Sequence, residues 1–67
     1  SMYNRSDPMS RENRTTLIDL LAVLESMPTS ARIESLVYDI YYVVDNESSN
    51  SEACRLIEAA IDATKEA

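Results

Sequence analysis

Apolar residues recur at intervals of three and four along most of the chain, and this period restricts what it can fold into more than any other feature. Leu17, Leu20, Leu21, Leu24 and Met27 follow the i, i+3, i+4, i+7 spacing of one helix face. Pro28 ends the series, because the residue before a proline is pushed out of the α region, and Thr29-Ser30 offers the next N-cap. Ile33, Leu36, Val37, Ile40, Val43 and Val44 then resume the helical period. Their β-branched content also suits a strand, but the apolar positions do not alternate and no glycine or turn pair punctuates them. Beyond the polar connector 46–50, Ala53, Leu56, Ile57, Ala60, Ile61 and Thr64 fall on one face, with Arg55, Glu58, Asp62 and Lys65 opposite. The pattern predicts three helices, over about 8–27, 31–46 and 51–65.

Capping residues refine these bounds. Asp7-Pro8 has the chemistry of a helix start, an N-cap followed by proline where a missing N–H costs nothing, with a second possible start near Ser10 or Thr15. Ser49 and Glu52 have the spacing of a capping box, although Asn50 or Ser51 would also serve as N-cap. Residues 1–6 carry no periodicity, so a mobile tail over 1–7 and a single domain over 8–66 are expected. Ser1 before Met2 reads as an addition, with the natural start at Met2. The short connection at Pro28 makes the first two helices an antiparallel hairpin. The expected fold is therefore all-α: a helical hairpin plus a third short helix, assembled as a dimeric bundle.

The dimer follows from size. A core built from 67 residues rarely supplies more than about 3–5 kcal/mol without a staple. The lone Cys54 closes no intrachain disulfide, and without histidine or a cysteine cluster there is no structural zinc site. Hydrophobic residues at 45% and charged ones at 27% nevertheless give a globular balance. Ile18, Ala22, Val23, Cys54 and Ile61, together with the tyrosines of helix 2, are more apolar surface than one hairpin hides, and such surplus marks association. A homodimer is the expected result.

Charge narrows the partners. Residues 1–16 hold Arg5, Arg11 and Arg14 against Asp7 and Glu12, a balance of +1; residues 17–67 hold ten acids against Arg32, Arg55 and Lys65, a balance of −7. An acidic body repels phosphate backbones and anionic membranes, so direct nucleic-acid or membrane binding is not expected. Apolar runs fall short of a membrane span, and no signal-peptide core leads the chain, which points to a cytoplasmic, reducing setting.

The most informative constellation lies on helix 2. Tyr38 and Tyr42 form an i, i+4 pair on the side away from the inner face, Tyr41 borders that face, and Glu34, Asp39 and Asp45 accompany them. Tyrosine offers large contact area at low entropic cost, with a polar tip. The ledge formed by Tyr38, Tyr41 and Tyr42 with Glu34, Asp39 and Asp45 is thus the candidate partner site, fitting a protein with an apolar groove and basic rims. The competing reading has the third helix or a dimer mate cover the rings.

Other constellations carry less. A thiolate at Cys54 is opposed by Glu52 and Glu58, so a buried small hydrophobe is expected there. The stretch from Asp45 resembles a calcium loop but lacks the turn glycine and has Leu56 at the twelfth position, so neither a metal nor another cofactor is expected. Asn4-Arg5-Ser6, Asn13-Arg14-Thr15 and Asn46-Glu47-Ser48 match the glycosylation sequon, which has no meaning without secretion. Three short helices leave little room for a catalytic pocket, and a chain without glycine has no phosphate-cradling loop, so an enzyme is not expected. As a recognition helix, helix 2 would present tyrosines and carboxylates where DNA needs Arg, Lys, Asn or Gln. The Arg5, Arg11 and Arg14 cluster reads as a solvated face.

In size, acidity and helical layout the whole chain resembles the small acidic all-helical proteins that phages and other mobile elements make to bind and inactivate a host protein. That resemblance implies an inhibitor or anti-activator occupying the surface of a transcription regulator, a defence complex or a motor ATPase. Two alternatives remain open: an acidic mimic of nucleic acid that blocks a DNA-binding surface, and a structural subunit or assembly factor of a larger complex.

Overall fold

The computed structural model describes residues 7–66. Three helices, α1 (Arg11–Glu25), α2 (Ala31–Asp45) and α3 (Asn50–Lys65), pack pairwise on one another. Cross-helix contacts fix their directions. Arg14 near the start of α1 reaches Val44 near the end of α2, Asn13 meets Cys54 early in α3, and Arg32 early in α2 meets Glu66 just after α3. The bundle therefore runs up, down, up, with α1 parallel to α3 and α2 antiparallel to both.

Each helix starts where a serine hydroxyl replaces a missing intrahelical partner. Ser10, Ser30 and Ser49 accept from the N–H groups of Asn13, Ile33 and Glu52 at 3.0, 3.1 and 3.1 Å. The capping-box reading of Ser49 holds in its first half only, because the Glu52 carboxylate turns to Arg55. Helix α1 begins at Arg11, not Pro8. Asp7 is engaged elsewhere: its Oδ2 accepts from the Ser51 N–H and hydroxyl at 3.1 and 2.6 Å, and its carbonyl accepts from the Asn50 N–H at 2.9 Å. Pro8 pairs with Ser49 in a single antiparallel bridge. Asp7, placed in the tail by sequence, is thus bonded to the start of α3, while residues 1–6 lie outside the described residues.

Twelve apolar side chains form the core: Leu17, Leu21 and Leu24 from α1, Ile33, Leu36, Ile40, Val43 and Val44 from α2, and Ala53, Leu56, Ala60 and Ala63 from α3. No polar or charged residue is buried among the described residues. Helix α2, despite β-branched residues that also suit a strand, is helical throughout and supplies the broadest apolar face. Helix α3 meets the others along a narrow seam in which three of four buried residues are alanine, so its backbone approaches closely. This seam turns α3 further than the sequence pattern implied. Ala63 enters the core, Ile57 and Thr64 sit at its margin, and Ile61 is exposed. Cys54 is also exposed, which corrects the expectation of a buried thiol; Ala53 beside it occupies the inner position.

Candidate functional site

The three tyrosines of α2 point outward: Tyr38 is 70% exposed, Tyr42 58% and Tyr41 46%. Helix α3 does not cover them, so within one chain the reading in which it does is overturned. Their position follows from the turn of α2. Its core residues centre near Ile40, and at about 100° per residue Glu34, Tyr38, Tyr41, Tyr42 and Asp45 share an arc of roughly a third of the circumference on the opposite side.

Asp39 lies at the edge of that arc, an i, i+3 neighbour of Tyr42. It follows Tyr38 directly, which places it roughly 100° round the helix. There it is half-buried on the flank toward α3, where its charge acts on Arg55. All six proposed residues therefore lie on the outer side of α2, with Asp39 at its edge toward α3.

A residue of α1 joins the group. The Tyr41 hydroxyl donates to Glu25 Oε2 at 3.2 Å. That hydrogen bond, reinforced by the charges of Glu25 and Asp45, holds the Tyr41 phenol protonated above its ordinary range. Along α1, Glu25 shares a strip with Ile18 and Ala22, both exposed, at the i+7 and i+3 spacings of one helix face. The apolar strip of α1 and the aromatic arc of α2 thus meet at the Tyr41–Glu25 contact. Only the hairpin's pairing brings Glu25 here; in sequence its trace is that helical spacing from Ile18 and Ala22.

Between the two helices this contact borders an open cleft of about 520 Å³ with an apolar floor that includes Leu24, Ile33 and Val37, and with Glu25, Glu34, Tyr38 and Tyr41 around it. Among the described residues neither Glu25 nor Glu34 forms an ion pair. The basic side chains are largely engaged elsewhere. Arg32 pairs with Glu66, Arg55 pairs with Glu52 at 2.9 Å, and Arg14 Nη1 donates to the Val44 carbonyl at 3.1 Å. Arg14 so places a cation at the C-terminal end of α2, whose last turn has none of its own. The arginine cluster read from the sequence is divided accordingly: Arg11 is exposed, Arg14 is bonded to α2, and Arg5 lies outside the described residues.

The stretch that resembles a calcium loop has structural partners instead. Ser49 caps α3, Ser51 bonds Asp7, and Asn50 Oδ1 accepts from the Ser10 N–H and from Asn13 Nδ2, both at 2.9 Å. No group of three or more potential metal ligands converges among the described residues, and none of their helices is long and apolar enough to cross a membrane.

Comparison of the chain with family models, with curated proteins and with solved structures returns no match. The surface at the cleft combines rigid aromatic area, hydroxyl tips and carboxylates that form no ion pair among the described residues, around an apolar floor.

Proposed function

We propose that this three-helix chain is a non-enzymatic interaction module that binds a protein through the outer face of α2 and inactivates it by occupying its surface. The observation that carries the reading is the exposure of Tyr38, Tyr41 and Tyr42 on one arc flanked by the carboxylates of Glu25, Glu34 and Asp45. The three rings are left largely outside the core, and aromatic residues are enriched where interfaces are decided. The complementary partner has an apolar groove for the rings and a basic rim for the carboxylates. The inhibitor or anti-activator role rests on the resemblance to phage and mobile-element proteins, and a cytoplasmic setting goes with it.

Homodimerisation belongs to the same proposal. It is supported by the exposed Val23 on α1 and Ile61 on α3, on helix faces other than the tyrosine arc. A mate seated there leaves the tyrosines accessible.

The test can be run without the natural partner in hand. Binders are selected from a random-peptide library on the wild-type chain and then measured on the Tyr38→Ala, Tyr42→Ala double variant, with circular dichroism as the folding control. Selected peptides that combine apolar and basic residues and lose binding to the folded variant support the reading. Binders indifferent to the tyrosines, or a selection that enriches none, overturn it. Binding that survives the tyrosine changes but collapses with salt would instead favour the nucleic-acid mimic.

A further inference from the structure

We infer that the cleft between the end of α1 and the first half of α2 is a receptor for an arginine side chain of the partner, an assignment that rests on the docking face proposed above and names what one part of it recognises. The cleft offers the three things a guanidinium on an aliphatic stem requires. Leu24 and Val37 provide an apolar floor against which the methylenes lie. Tyr38 and Tyr41 provide aromatic faces at its edge, and guanidinium groups are favoured over such rings. Glu25 and Glu34 provide carboxylates from two different helices.

Charge complementarity selects this occupant over an apolar side chain. Neither carboxylate is ion-paired among the described residues, and Arg14, Arg32 and Arg55 are each held elsewhere. An apolar plug would fill the floor and leave both charges at its rim unanswered. A compact ammonium is a poorer match than a planar fork that stacks on a ring while bonding a carboxylate. The Tyr41 hydroxyl donates to one oxygen of Glu25, which orients the carboxylate and leaves its other oxygen free to accept from an incoming donor.

The test is an NMR titration of the full chain with an acetylated, amidated leucine–arginine–leucine tripeptide, against the same peptide carrying citrulline, which keeps the shape and removes the charge. The expected result is saturable shifts centred on Glu25, Glu34, Tyr38 and Tyr41, with the arginine peptide binding at least tenfold more tightly than the citrulline one. The Glu25→Gln, Glu34→Gln double variant, isosteric and on the surface, is expected to erase that preference, while Asp62→Asn on α3 leaves it intact. Equal binding of the two peptides, shifts centred elsewhere, or no saturable binding overturns the assignment. If arginine and citrulline bind alike while library-selected peptides still require Tyr38 and Tyr42, the arginine site falls and the docking face stands. If tyrosine-dependent binding is absent as well, both fall.

Discussion

Glu47 holds the sharpest local compromise in the fold. It follows the C-cap Asn46 at φ 48°, the left-handed conformation that closes a helix by sending the Ser48 N–H to the Val43 carbonyl at 3.0 Å and the Glu47 N–H to the Val44 carbonyl at 3.3 Å. Glycine is the usual residue at such a position, and the chain has none. A side chain there costs roughly 1–2 kcal/mol of backbone strain, offset in part by the lower entropy of the unfolded chain. Glu47→Gly is accordingly expected to raise unfolding stability by about 0.5–1 kcal/mol in a urea titration; a destabilised variant would contradict this account of the turn. Asp7 shows why single residues mislead a reader of sequence. Its Asp-Pro pair carries the local chemistry of a helix start, yet its carboxylate finds donors on Ser51, 44 residues away. Nothing local distinguishes a cap for the next turn from a cap for another helix.

At the scale of elements, the three helices and their order were legible because the 3.6-residue period and the serine caps act locally. Ser10, one of the starts the sequence allows, Ser30 and Ser49 are the observed N-caps. Rotation about each helix axis was less legible. On α3 the sequence offers isoleucines at 57 and 61 and small residues at 53, 60 and 63, and close approach of backbones favours the small ones. Cys54 and Ile61 are left outside as a consequence. The candidate site was legible for the same reason in part: the tyrosines stand opposite the strongest apolar face, so α2 had little freedom to turn. Asp39 lies at the margin of the tyrosine face, on the flank toward α3, and Glu25 was missed because it belongs to another helix.

The start of α3 also carries a pH dependence. The Arg55 guanidinium, bonded to Glu52 at 2.9 Å, holds the Glu52 carboxyl below its ordinary range. A depressed folded-state pKa contributes stability above the unfolded value, about 4.3, that is lost as pH falls through the folded value. The pair is exposed to solvent, so the contribution is only a few tenths of a kcal/mol. Between about pH 5 and pH 2 the wild-type chain is expected to lose slightly more stability than Glu52→Gln, in which that group no longer titrates. Equal losses in the two proteins would remove the pair from the account.

At the scale of the molecule, the described residues pack three helices around a core of twelve apolar side chains with no buried charge among them, in a body of 37 × 19 × 16 Å. Ile18, Val23 and Ile61 remain outside the core as well as the tyrosines, under a net charge of −6. Sedimentation equilibrium across concentrations tests whether a second copy covers part of this surface. A dimer mass that persists on dilution, and that is lost in the Val23→Ser, Ile61→Ser variant, is the expected result; a monomer throughout would refute the dimer and leave the tyrosine face as the docking surface. The most direct test of the central claim is calorimetric titration of a selected peptide into the wild-type chain and the Tyr38→Ala, Tyr42→Ala variant. The predicted result is at least a hundredfold loss of affinity at unchanged helicity, the scale of two aromatic hot spots at roughly 2 kcal/mol or more each. Affinity within about threefold of wild type in a fully helical variant, a difference of well under 1 kcal/mol, would show that the partner binds elsewhere.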